Sequence, residues 1–191
     1  MQQVGIEALN VYGGSAKIDV RMLGQARQLD MTRFDNLMMK EKAVAMPFED
    51  PVSYAINAAK PIIDGLSDLE KQQIKMVIAC TESGIDFGKS MSTYIQDYLG
   101  LSRNCRMFEI KQACYAATAG LQMAFNLILS QTCPGAKALV IGTDISRFIV
   151  TEGGEAIKED WYFAESSSGA GAVAILVSDV PKIFQADVGC N

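Results

Sequence analysis

Met76-Val77-Ile78-Ala79-Cys80, followed by the polar turn Thr81-Glu82-Ser83-Gly84, is the stretch on which the fold turns. Five apolar residues without alternation, closed by a turn, read as a strand buried on both faces of a parallel sheet. Ala138-Leu139-Val140-Ile141-Gly142 and the run from Gly171 to Val177 repeat the pattern, and a further strand is expected near Cys105 to Ile110. The segments between them read as helices. One ends at Leu99, before Gly100, and a long one runs from about Cys114 to Ser130. Strands alternating with helices give an α/β layered fold with right-handed crossovers.

Upstream, Asp19 is placed to cap a short helix through Gln28, and Asp30 another with Phe34, Leu37 and Met38 on one face. Asp50-Pro51 is a capping aspartate with proline at the first helical position, and Pro61 is expected to bend or end that helix. Ser67-Asp68-Leu69-Glu70 fits a capping box. Downstream, Ile183 to Val188 reads as another strand, after which the chain stops at Asn191 in the manner of a fragment.

Composition narrows the function. The 191 residues suit one generous domain or half of a larger enzyme, and 49% hydrophobic with 20% charged residues exclude disorder and coiled coil. Twenty-two acidic against 17 basic residues, a formal charge of -5, argue against a nucleic-acid binder. No apolar stretch reaches transmembrane length, the N-terminus lacks a signal-peptide pattern, and the five scattered cysteines form no CxxC pair. No membrane association, no disulfide scaffold, no metal site and a reducing, cytoplasmic compartment are therefore expected. The chain has no histidine, so neither a Ser–His nor a Cys–His pair can form within it.

Cys114 lies between strand and helix, where the helix dipole and free N–H groups favour a thiolate; a small core cysteine is the alternative. Glu82 falls just past the end of one strand, at the sheet rim where α/β active sites gather. Partly shut away from water it would serve as a general base; otherwise it is a solvated loop residue. Asp144 ends a third strand on the same rim and is suited to holding a loop by hydrogen bonds to backbone. The glycines of Ser167-Ser168-Gly169-Ala170-Gly171 permit close approach of a ligand or of a neighbouring strand. No helix-opening GxGxxG supports a dinucleotide site.

Three motifs, Ala79-Cys80-Thr81-Glu82-Ser83, Glu109-Ile110-Lys111-Gln112-Ala113-Cys114-Tyr115-Ala116-Ala117-Thr118 and Gly169-Ala170-Gly171-Ala172-Val173-Ala174, together resemble the hydroxymethylglutaryl (HMG) synthases of the thiolase superfamily. Gly5 to Gly14 and the long connection from Glu152 to Glu165, with Trp161, resemble the polyketide β-branching members of that family rather than those of the mevalonate pathway.

The resemblance implies a layered α/β/α/β/α thiolase-like fold of which residues 1–191 are the N-terminal half. It implies Cys114 as nucleophile and Glu82 as general acid/base. Ser167, Gly169, Tyr115 and Asp144 would bind substrate, and a histidine would come from the half outside this sequence. It further implies donor and acceptor acyl carrier proteins as partners, a homodimer, and no bound cofactor beyond the phosphopantetheine arm or coenzyme A. Mevalonate-pathway chemistry on coenzyme A, a ketoacyl synthase and a non-catalytic docking half are the rival readings; Glu82 argues against the ketoacyl synthase. Residues 21 to 43, with Arg21, Arg27, Arg33, Lys40 and Lys42 against Asp30, Asp35 and Glu41, offer a basic face for an acidic carrier protein or an ordinary solvated one. Arg33 is the docking candidate.

Overall fold

The computed structural model describes residues 3–32, 38–145 and 168–187. In chain order these form β1 (Gly5–Tyr12), β2 (Ala16–Asp19), α1 (Val20–Ala26), β3 (Glu41–Val44), α2 (Pro51–Asp64), α3 (Asp68–Gln73) and β4 (Ile74–Cys80). There follow α4 (Met91–Tyr98), β5 (Arg106–Ile110), a 3-10 turn (Ala113–Tyr115), α5 (Ala116–Leu129), β6 (Lys137–Asp144), β7 (Gly171–Ser178) and β8 (Phe184–Gln185).

A six-stranded sheet runs β5-β4-β6-β7-β1-β8, and β2 and β3 make a separate ribbon. The apolar runs have no alternation because both faces of each strand are covered. In β4, Val77 and Ala79 face a core shared with α2 and α4, while Met76, Ile78 and Cys80 face a second core under α5. Leu139 and Ile141 of β6, with Leu176 of β7, join the first core; Val140, Ile175 and Val177 join the second. The described residues thus stack as helix, sheet and helix.

The sheet is mixed rather than wholly parallel. β4 pairs parallel with β5 and β6, but β7 lies antiparallel to both β6 and β1. Apolar runs report burial on two faces and are blind to strand direction. Pro61 neither ends nor is the last residue of its helix, which continues to Asp64. The carbonyl it deprives of a donor belongs to exposed Asn57, a position open to solvent, while Ala58, Ala59, Ile62 and Ile63 hold the helix on the core. β8 is only two residues long, far short of the expected strand to Val188, whose last residue lies outside the described segments. Met38, expected on an apolar helix face, is 94% exposed; Phe34 and Leu37 lie outside the described residues.

The capping residues act as read. Asp19 accepts the Met22 N–H at 2.9 Å, and Asp50 with Ser53, and Ser67 with Glu70, form complete capping boxes. Gly14 links β1 to β2 at φ 76°, and a Cβ there would lie 2.0 Å from the Tyr54 hydroxyl, so only glycine fits.

At the end of the sheet where β4 and β6 begin, buried Glu7 of β1 pairs with buried Lys137 of β6 and accepts a second bond from Lys182 at 3.0 Å. Burial works to raise the Glu7 carboxyl, but the bonds from Lys137, Ser178 and Lys182 outweigh it and hold the group below its ordinary range.

Candidate active site

The opposite end of the sheet is built from polar turns. β4 and β6 run side by side, Cys80 opposite Gly142, so Thr81 to Ser83 and Asp144 emerge together. Asp144 Oδ1 accepts the N–H of Glu82 at 2.8 Å and that of Ser83 at 3.0 Å, and the Thr81 hydroxyl donates to it at 3.1 Å. The Ser83 hydroxyl accepts the Ile145 N–H at 3.0 Å, closing the clamp from the other strand. On its other side the turn is held by β5, where the Ile110 carbonyl accepts the Thr81 N–H at 3.1 Å. The Glu82 turn is therefore anchored to both strands that flank β4.

The glutamate reaches sideways to the cysteine segment. Glu82 Oε1 accepts the backbone N–H of Ala113, the residue before Cys114, at 2.6 Å. Ala113 sits at φ 44°, in the left-handed region, which costs a residue with a Cβ about 1–2 kcal/mol. From there the chain enters a single 3-10 turn through Cys114 and continues into α5, so the helix start is tighter than the α-turn expected at Cys114.

Cys114 is exposed and lines a cavity of about 440 Å³. Ala116 and Ala117 of α5, Thr143 and Asp144 of β6, and the backbone from Gly169 to Ala172 form its other walls. That volume is in the range of small-molecule sites. Gly169 belongs to the lining as expected, and its backbone passes close to β3: a Cβ there would sit 3.3 Å from the Ala43 carbonyl oxygen. Cys80 closes the floor. Burial, and then the charge of Asp144, push its thiol up to about 11.

Several expectations need correction. Glu82 is exposed rather than shut away from water, and stands beside the cavity rather than in its lining, because its turn projects past the strand end. Tyr115 does not line the cavity: one residue further round the turn than Cys114, it donates its hydroxyl to Gln122 of its own helix at 2.9 Å. Lys42 is buried and so is lost from the basic face, and Glu41 is occupied by Lys17 at 2.7 Å. Ser167, Arg33 and the Glu152 to Glu165 connection lie outside the described residues. Ala113, Ser83 and Thr81 were not anticipated; only the hydroxyls beside Glu82 offered a signal, since nothing in an alanine side chain announces a left-handed backbone.

Across its full length the chain is 65% identical to the polyketide biosynthesis 3-hydroxy-3-methylglutaryl-ACP synthase PksG of Bacillus subtilis (strain 168), of which it covers 46%. It is 36% identical over 182 residues to the hydroxymethylglutaryl-CoA synthase of Enterococcus faecalis. The fold superposes with a TM-score of 0.89 and 76% identity on the crystal structure of the curacin biosynthetic pathway HMG synthase in complex with acetyl donor-ACP, covering 99% of this chain and 44% of that one. The chain thus spans about half the length of the relatives it matches. The family model for the N-terminal part of hydroxymethylglutaryl-coenzyme A synthase matches residues 1–181, and the chain belongs to that family.

Proposed function

We propose that this chain is the N-terminal half of an HMG synthase that condenses an acetyl group with the β-ketone of a carrier-bound β-ketoacyl thioester during polyketide β-branching. The single observation that carries the chemistry is the Glu82–Ala113 hydrogen bond, which seats a carboxylate one residue from an exposed cysteine at a shared rim. The relatives named for polyketide synthesis and for an acetyl donor-ACP complex favour carrier-protein substrates over coenzyme A.

In the first step the Cys114 thiolate attacks the acetyl thioester of the donor carrier. The carrier's phosphopantetheine thiolate leaves, and acetyl-S-Cys114 remains. The backbone N–H of Cys114, at the mouth of the helix, is the donor suited to the developing oxyanion. Glu82 then removes a methyl proton from the acetyl group, and the enolate carbon adds to the acceptor ketone. A histidine from the remainder of the protein gives its proton to the new alkoxide. Water finally cleaves the Cys114 thioester, leaving a carboxylate on the product and a free thiol. Asp144 holds the turn that carries Glu82, the enzyme works as a cytoplasmic homodimer, and Ser167 and Gly169 bind the thioester arm.

The full-length enzyme tests this directly. Cys114→Ala abolishes the acetyl mass increment. Glu82→Gln still acquires the acetyl group but loses condensation by roughly 10²–10⁴-fold, the range for removing a general base. Loss of acetylation in a folded Glu82→Gln variant defeats the assignment. Arg33→Glu tests docking: transfer from acetyl carrier protein slows, most at low salt, while transfer from a small acetyl thioester stays nearly unchanged. Equal losses with both donors defeat the docking role.

A further inference from the structure

We infer that the backbone N–H of Ala113 is the positioning group for Glu82, and that the left-handed conformation at Ala113 is what aims it. This rests on the proposed roles of Glu82 and Cys114. Ala113 is the one residue placed between the two: its N–H meets Glu82 Oε1 at 2.6 Å, and its carbonyl accepts the Ala116 N–H, which ties it to the first turn of α5. Its backbone also lines the cavity beside Cys114.

The arrangement divides the labour of one carboxylate. A charged oxygen held by an N–H at this distance is fixed in place. The other oxygen accepts no hydrogen bond from the described residues and is left to take a proton. The exposure of Glu82 makes this anchor matter more, because burial does little to restrain the carboxylate. A positive φ is the means of turning the peptide between Gln112 and Ala113. At an ordinary helical φ the same N–H would point along the helix start, with the N–H groups that follow it, rather than across to the β4 turn. Glu82 and Cys114 are then aligned by one shared peptide, so the base is set wherever the nucleophile's helix is set.

The test separates this from the wider mechanism. In the full-length enzyme, the peptide N–H at 113 is replaced by an ester oxygen, with lactate in place of alanine, which keeps the side chain and removes only the donor. Cysteine acetylation and solvent-deuterium exchange of the acetyl methyl are followed side by side. Acetylation should stay within about threefold of the parent, while exchange falls roughly tenfold or more, the scale of a lost hydrogen bond to a charge.

Ala113→Val keeps the N–H but resists a positive φ, and should slow exchange by a smaller factor. Ala113→Gly, which accepts that φ freely, should lose clearly less exchange than Ala113→Val. Should the ester chain fail to fold, the valine and glycine pair decides the matter. Exchange unchanged in the ester, or equal in valine and glycine, overturns the inference, as does acetylation lost in step with exchange. Exchange that survives Glu82→Gln would instead defeat the proposed base.

Discussion

Two carboxylates mark the two ends of the central sheet, and they are kept in opposite ways. Glu7, where β4 and β6 begin, is buried, paired with a buried lysine and reached by a second one. Glu82, where β4 ends, is exposed and held by a single backbone N–H, with no lysine or arginine recorded on it among the described residues. A carboxylate locked by two ammonium groups has every proton-accepting site discouraged, so it serves cohesion. One anchored through one oxygen to a neutral donor keeps an oxygen for chemistry. Cysteines repeat the contrast at the rim itself: Cys80 is sealed beneath the cavity, while Cys114 stands open in it.

The thiol contrast carries the largest expected effect. With its thiol raised to about 11, Cys80 has about one part in a thousand as thiolate at pH 8, and burial blocks access as well. Iodoacetamide given to the folded enzyme should therefore label Cys114 and spare Cys80 by at least two orders of magnitude, read by peptide mass spectrometry. Equal labelling would erase the distinction between floor and wall.

Legibility in the sequence followed the same division. Strands β4, β6 and β7 were readable because two covered faces demand unbroken apolar runs, and the caps because Asp19, Asp50 and Ser67 have one local job. Strand β1 was not read, since Gly5–Tyr12 keeps neither an unbroken apolar run nor a clean alternation, buries Glu7 while exposing Leu9 and Val11, and has a bulge at Glu7. The Glu7–Lys137 pair spans 130 positions, and no local pattern announces such a partner. At the site, Glu82, Cys114, Asp144 and Gly169 stood out because each residue type suits its place at the end of a strand or just before the next. Ala113 acts through its backbone alone, and Tyr115 was misplaced because adjacency to Cys114 in sequence is not adjacency in a helical turn.

A smaller effect probes the base of the sheet. Lys137→Met in the full-length enzyme leaves buried Glu7 with the exposed Lys182 as its remaining ammonium partner, and should cost about 3 kcal/mol in denaturant unfolding. Because the native Glu7 carboxyl lies below its ordinary 4.5, its pairing stabilises fully above that pH and fades as the medium is acidified further. The parent should lose stability below about pH 4.5, and the methionine variant should lose less over the same interval. Acetylation at pH 7 should persist in whatever fraction remains folded, since the rim is remote from the change. A variant as acid-sensitive as the parent would show that Glu7 is not the group responsible.

The smallest expected effect links the two ends through α5. Gly120 lies on the helix face toward the sheet, and a Cβ there would fall 2.9 Å from Cys80 Sγ and 3.0 Å from Val140 Cγ1. Both neighbours belong to strands packed on two faces, so neither yields easily. Overpacking of this kind costs about 1–3 kcal/mol, against which alanine gains about 1 kcal/mol of helix propensity. The net for Gly120→Ala should be destabilisation by about 1 kcal/mol, with acetylation slowed less than tenfold as the helix carrying Cys114 lifts slightly. Cys80→Ala removes the closer of the two atoms. The double variant should recover part of the stability lost, a coupling that two independent sites would not show. Gly65→Ala serves as the contrast, because a Cβ there meets only carbonyl oxygens at 3.4 and 3.5 Å. Strict additivity of the Gly120 and Cys80 changes would mean that the helix is not seated on the sulfur, and that the floor of the cavity does not set the height of the cysteine above it.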